Sequence, residues 1–411
     1  MIFFLIKFIY VFLGIKAPSV FTYNSTRMIL ASVTTLGLTI FMGPCFIRKL
    51  YELKIGQSIR MEECPLLGEL HEKKKDTPTM GGILMLFSML IAMFLWMDLK
   101  SSFTLILFLT TVCLGALGAY DDYLKLKYHN TVGLSARKKF IFQIFFVCLI
   151  VAYLLYPEIH TAIHFGDWFS PPLAKDFFPV SGKFSSNGHV SFQALSLSSS
   201  EYVSRLYLPF LKQPFLFFSG LGIPFLFVFM FFVVSGSSNA VNLTDGLDGL
   251  ASGCLIMVAA SLSLVAFVSS HVILARYLHI LYIEGSGEIA VYLCALAGAC
   301  LGFLWYNAYP AQVFMGDTGS LSLGGIIGVS SLLLKREALL AIVGGVFVLE
   351  ALSVIFQVLS YRFRDKKRVF LCAPLHHHFE YKGWPETKVV IRFWILAFLF
   401  AVVGIASLKF Q

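Results

Sequence analysis

Four short polar clusters carry most of the residues that could do chemistry. They are Ala119-Tyr120-Asp121-Asp122, Asn242-Leu243-Thr244-Asp245-Gly246-Leu247-Asp248-Gly249, Met315-Gly316-Asp317-Thr318-Gly319-Ser320 and Pro374-Leu375-His376-His377-His378. Paired carboxylates followed by Lys125 one helical turn later suit divalent-metal phosphate chemistry: a hard cation takes oxygen ligands and an ammonium adds a point charge. The plainer alternative for Asp121, Asp122 and Lys125 is a charge pair at a helix end. Asn242, Asp245 and Asp248 recur every three residues, so on a helix they form one polar stripe, with Gly246 and Gly249 leaving room for close approach. The alternative there is a capped helix end using Thr244 or Asp245. Around Asp317, a Gly-Asp-x-Gly-Ser turn exposes backbone N–H groups at a helix start, where anions are favoured. The aspartate itself can hold a metal, and Phe314 can stack on a base. Three consecutive imidazoles cannot all face one ion on a regular element. His376, His377 and His378 therefore suit phosphate donation or acid/base work better than a zinc centre, or else form an ordinary interfacial loop.

The elements that must position these residues are membrane spans. The 411 residues are 58% hydrophobic and 13% charged, with a mean hydropathy of +0.80. That composition points to an all-α polytopic membrane protein. A carboxylate at the bilayer centre costs at least roughly 2.5 kcal/mol, so acids beside apolar runs call for a function. Apolar runs predict about ten transmembrane helices, near 27–47, 80–97, 102–119, 140–156, 214–234, 250–269, 288–306, 319–334, 338–359 and 391–409. The loops on the side of the four clusters (48–79, 120–139, 235–249, 307–318 and 360–390) hold 19 Lys and Arg against 11 on the other side. The positive-inside rule then puts the clusters on the cytoplasmic face, forming one cleft, with both termini external.

This threading gives a membrane-associated segment at 1–26, helices one to four over 27–156, a long external loop at 157–213 and helices five to ten over 214–411, together one catalytic domain. Met1 to Gly14 reads as an uncleaved helix on or in the membrane. Ser196 to Ser200 reads as linker, and His160, His164 and His189 as loop histidines without a chemical role. The net charge of +9 follows from topology and anionic lipid, so no nucleic-acid partner is expected. Eight scattered cysteines suggest neither disulfides nor zinc. Lys73, Lys74 and Lys75 precede Thr77-Pro78-Thr79-Met80-Gly81-Gly82. They could bind diphosphate or anchor the second span, with Pro78 opening its helix and Thr77 near the cap.

Several ordered motifs together resemble the polyprenyl-phosphate N-acetylhexosamine-1-phosphate transferases. They are Thr77 to Gly82, Asn239 to Gly249, Phe303-Leu304-Trp305-Tyr306-Asn307, the Asp317 turn and Pro374 to Glu380. The resemblance covers about residues 20–157 and 214–409. It departs from the pattern at Asp76, where glycine commonly precedes Thr-Pro, and in the length of the 157–213 segment. The histidine triplet resembles the branch whose donor is UDP-N-acetylmuramoyl-pentapeptide. The resemblance implies Mg²⁺ dependence, transfer of the phospho-sugar-peptide to undecaprenyl phosphate with release of UMP, a bacterial inner-membrane location, and a homodimer as one expected assembly. By motif, Asp317 would be the metal ligand and Asp121 a base on the lipid phosphate. Asp122, Asp245, Asp248, Lys125, Asn307 and His376 would line the same cleft. Phe314, Gln357, Gly249 and Leu250 resemble uridine-binding positions, and Lys74, Thr79, Asn242, His377 and His378 would also meet substrate. Two rivals stand beside this: a transferase acting on another UDP-N-acetylhexosamine, and an ion-coupled transporter with membrane Asp and His as proton relays.

Overall fold

The computed structural model describes residues 12, 19–53, 77–128, 133–163, 166, 169–184 and 190–410. The expected 1–26 segment lies mostly outside these residues, and Lys73, Lys74, Lys75, Asp76, His164 and His189 lie wholly outside them.

The described residues are predominantly helical, and the chain is an all-α polytopic membrane protein. Among the described residues, eight helices are long and apolar enough to cross a membrane. The expected spans at 80–97 and 319–334 correspond to two further helices, Gly82–Trp96 and Gly316–Leu333. The expected ninth span is two helices, Glu337–Val343 and Gly345–Phe363, meeting at Gly344.

Gly316–Leu333 is the centre of the bundle, buried from Asp317 to Leu333. Its composition explains how. Gly324 and Gly328 pack on Ser237, Ser238 and Val234 of the Ile223–Thr244 helix, and Gly325 lies against Leu114 of the Ser102–Lys127 helix. Small residues let helix backbones approach where lipid supplies no hydrophobic drive for association. A Cβ on Gly324 would fall 2.7 Å from Ser237 O. Gly324→Ala is therefore expected to destabilise the protein by about 1–3 kcal/mol, as overpacking does, and to lower its unfolding temperature in detergent. An unchanged melting curve contradicts this close contact.

Asn24–Glu52 packs along Gly287–Asn307 by the same device: Gly298 sits on Ser32 O, and Thr35 Oγ1 donates to Ala295 O at 2.8 Å. One end of this pair is closed by a buried Arg27–Glu288 ion pair at 2.7 Å. Large apolar side chains such as Phe41, Phe225, Phe232 and Trp305 are exposed, as lipid-facing positions are.

Three sequence expectations change. The fifth helix runs Ile223–Thr244 rather than 214–234. Pro224 sets its first turn, where the missing N–H costs nothing, while Leu216–Phe217 pairs with Arg205–Leu206 as a short strand. Its polar C-terminal half stays helical because Ser238 donates to Leu321 O at 2.7 Å and Ser235 to Gln143 Oε1 at 2.6 Å. Second, the segment Ser196 to Ser200 is not a linker. Ser196 pairs with Lys175 in an antiparallel hairpin of Ala174–Phe184 and Val190–Leu197, and Ser198 caps the Ser199–Ser204 helix through a capping box with Glu201. Third, Pro78 does not open the second helix, which begins at Gly82. Pro78 O instead accepts Phe314 N–H at 2.8 Å, and Gly81 and Gly82 N–H donate to Phe314 O and Met315 O at 2.8 Å each.

Candidate active site

Helix ends converge on one end of the bundle. The Ser102–Lys127 helix continues past its apolar part, so Asp121 and Lys125 share a face and form an ion pair at 2.7 Å. Lys139, in the first turns of the Ala136–Leu155 helix, lies 2.9 Å from the same Asp121 oxygen. Both ammoniums also reach Asp317 Oδ2, at 3.0 Å from Lys125 and 2.7 Å from Lys139. Two lysines thus bridge two buried carboxylates that come from helices far apart in sequence. Asp121 is fastened further by Leu134 N–H, which donates to Oδ1 at 2.6 Å.

Asp122 has a different local task. Its Oδ1 accepts Asp317 N–H at 3.1 Å, and its Oδ2 accepts Thr318 N–H at 2.9 Å and Thr318 Oγ1–H at 2.7 Å. These N–H groups are orphans of the Gly316–Leu333 helix start, so one helix caps another. The carboxylate also lies where the helix dipole favours negative charge. Gly316 makes the turn feasible. Its φ is +73°, and a Cβ there would sit 2.8 Å from Asp122 Oδ2 and 2.9 Å from Thr79 Oγ1. Thr79 is therefore at the site, on the strand-like segment already bonded to residues 314 and 315.

One oxygen from each of Asp121, Asp122 and Asp317 can be chosen so that all three lie within 4.8 Å of one another. Such a buried all-carboxylate set fits a hard divalent cation, which takes carboxylate oxygens and completes its shell with water or phosphate. The present lysine bridges show that the pair of carboxylates calls for positive charge between them.

The Asn242 to Gly249 segment reaches the same place, but not as a helical stripe. The helix ends at Thr244, so of Asn242, Asp245 and Asp248 only Asn242 is helical, and its Oδ1 accepts Ser320 Oγ–H at 3.2 Å. Asp245 follows that helix. Burial, then the carboxylates of Asp317, Asp122 and Asp248, push the Asp245 carboxyl up to about 7. A cation arriving among these groups would draw its proton off. Asp248 Oδ2 accepts Ala311 N–H at 2.9 Å, while its own N–H donates to Glu386 Oε1 at 2.8 Å. Asn307 locks this turn to the next one: Oδ1 accepts Gly249 N–H at 3.1 Å and Nδ2 donates to Val313 O at 2.9 Å. Gly249 adopts φ +79° before the Leu250–Ser269 helix. Leu250, the first residue of that helix, is fully buried.

The histidines separate, as consecutive residues on the Leu375–Tyr381 helix must. His376 is fully buried beside Glu350. His377 Nδ1 lies 2.7 Å from Glu380 Oε2, and His378 Nδ1 accepts Leu371 N–H at 3.1 Å. Gln357 is engaged at both ends by the loop before this helix. Its Nε2 donates to Phe370 O at 3.1 Å, and its Oε1 accepts Val369 and Phe370 N–H at 3.0 and 2.9 Å. Phe314 is half-buried, with its backbone bonded to Pro78 and Gly81.

Sequence reasoning missed Lys139, Thr318, Glu350 and Glu386. Lys139 had a readable signal: Arg137, Lys138 and Lys139 open a helix, where the dipole disfavours cations unless an anion faces them. Glu350 had another, an acid inside an apolar run.

Comparison with known proteins agrees with this geometry. A model of glycosyl transferase family 4 matches residues 104–335. A phospho-N-acetylmuramoyl-pentapeptide-transferase of Protochlamydia amoebophila (strain UWE25) is 66% identical over 397 residues, 97% of this chain and 97% of that protein. Proteins of the same name from Desulfotalea psychrophila (strain LSv54 / DSM 12343) and Koribacter versatilis (strain Ellin345) are 44% and 42% identical, over 96% and 95% of each chain. With converging acidic helix ends in a membrane bundle and relatives alike over almost their whole length, the chain belongs to glycosyl transferase family 4, among the phospho-N-acetylmuramoyl-pentapeptide-transferases.

Proposed function

We infer that this protein transfers phospho-N-acetylmuramoyl-pentapeptide from its UDP carrier to undecaprenyl phosphate, making the first lipid-linked peptidoglycan intermediate and releasing UMP. The observation that carries the reading is the buried Asp121, Asp122 and Asp317 set bridged by Lys125 and Lys139 at helix ends. One reactant is anchored in lipid and the other is dissolved, so the reaction needs a site at their boundary.

Mg²⁺, held by Asp317 with Asp121 and Asp122 beside it, would neutralise charge on the diphosphate and on the leaving UMP. Lys125 and Lys139 each touch two carboxylates and can turn an ammonium towards an arriving phosphate, easing repulsion between two anionic reactants. Asp121, freed from a lysine in that exchange, would take any proton left on the lipid phosphate. Asp122 fixes the turn that aims Asp317. His376, His377 and His378 add donors for phosphate or sugar, and Asp245, Asp248, Asn242, Asn307, Gly249, Phe314, Gln357 and Thr79 complete the walls. The excess of basic residues on the loops of this end supports a cytoplasmic site in the bacterial inner membrane, with the 157–213 insertion on the outer side. A homodimer forms no part of this reading. Neither rival is favoured: the relatives act by name on the muramoyl donor, and transporters place such charges near the midplane.

Purified protein given labelled UDP-N-acetylmuramoyl-pentapeptide, undecaprenyl phosphate and Mg²⁺ is expected to release UMP and form labelled lipid. EDTA should abolish turnover and excess Mg²⁺ restore it. Labelled lipid from UDP-N-acetylglucosamine but not from the muramoyl donor overturns the assignment.

A further inference from the structure

Glu350 is an acid within the apolar Gly345–Phe363 helix, and it is fully buried. An ionisable group there needs a partner, since desolvating a lone charge costs far more than a helix can tolerate. The partner is His376, on a different element. Glu350 Oε1 accepts the His376 backbone N–H at 3.2 Å, and Oε2 lies 3.2 Å from the imidazole Nδ1. The imidazole is itself fully buried, yet neither of its nitrogens completes a hydrogen bond, nor does Glu350 Oε2. Two buried polar groups left incomplete at contact distance are uncommon in a finished core and are the mark of a functional pair.

The other side of the ring says what the pair faces. His376 Nε2 abuts Gly246, where a Cβ would come within 2.4 Å of it. Gly246 is exposed and lies between Asp245 and Asp248. The ring therefore reaches the acidic turn edge-on, at a residue with no side chain to cover it. The carboxylate beside Nδ1 holds the ring in one orientation, with Nε2 as the edge turned to Gly246.

We propose that Glu350 is a positioning residue: it clamps His376 by backbone and Nδ1, and the ring, with Nε2 against Gly246, holds the Asp245–Asp248 turn in place for the phosphorylated donor. The inference rests on the transferase reading above.

The test is a double-mutant cycle on the purified protein with the muramoyl donor, using Glu350→Gln, His376→Gln and the two together. Glu350→Gln keeps an acceptor for the His376 N–H but removes the charge at Nδ1. It is expected to lower kcat by about 10- to 100-fold, the usual loss for removing a group that orients a histidine. KM for the donor and the unfolding temperature should change little. In the His376→Gln background the same change should cost nothing more, because Glu350 acts through that ring. Wild-type kcat for Glu350→Gln overturns the proposal, as does a double variant whose two losses multiply. If the unaltered protein itself makes no lipid product, the transferase reading fails instead, so the two failures are distinguishable.

Discussion

Asp317→Asn is expected to leave a folded protein whose turnover falls by well over about 100-fold, more than the loss of a supporting contact costs. The substitution keeps the side chain's size and leaves the Asp317 N–H bonded to Asp122. The amide removes the charge that both Lys125 and Lys139 reach. It also removes one corner of the three-carboxylate set. A neutral amide is a poor ligand for a hard cation and cannot replace the lost carboxylate. The measurement is UMP release across a Mg²⁺ titration, with a melting curve beside it. Near-normal turnover at saturating Mg²⁺ contradicts a metal-facing role for Asp317.

Asp122→Ala should fail in another way, losing activity and stability together. Its carboxylate accepts three hydrogen bonds from Asp317 and Thr318. Removing it leaves buried donors at a helix start unsatisfied, at about 1–3 kcal/mol each. The turn around Gly316 would then be free to open, and Asp317 would lose its aim. A reduced melting temperature with turnover lost is the expected pair of results. If the Asp122→Ala protein melts like the unaltered chain, Asp122 is not the cap of the neighbouring helix. The two neighbours Asp121 and Asp122 thus differ in duty, one meeting ammoniums and the other backbone.

Hydropathy and the spacing of polar residues made most of the bundle legible, because lipid leaves a chain few ways to satisfy its backbone. The Asp121 to Lys125 pairing was readable from the i, i+4 spacing alone. Boundaries were less readable where polar residues are buried by other helices. Ser235, Ser238 and Asn242 look like loop residues in a linear scan, but they face Gln143, Leu321 and Ser320. The Ser198 to Glu201 capping box was present in the sequence, yet a run of serines hid it as low complexity. Pro78 reads as a helix-start residue, but it and the two glycines after Met80 pair elsewhere. Their backbone partners at Phe314 and Met315 are more than two hundred positions away, which local rules cannot reach. Lys139 was counted for topology only, since nothing local says which anion a basic helix start will meet.

The Gly316–Leu333 helix is about 27 Å long at 1.5 Å per residue, and its far end is as firmly held as its Asp317 end. There Lys335 and Arg336 are buried, Lys335 Nζ donates to Val203 O at 3.0 Å and to Glu337 Oε1 at 2.6 Å, and Arg336 stacks over Tyr207. Tyr202 OH donates to Leu333 O. Val203, Tyr202 and Tyr207 all belong to the 157–213 segment, so that segment is a keystone for the rod that bears Asp317. Shortening it would take the Val203 carbonyl from Lys335 and the Tyr207 ring from Arg336, loosening the far end of the helix that begins beside Asp317.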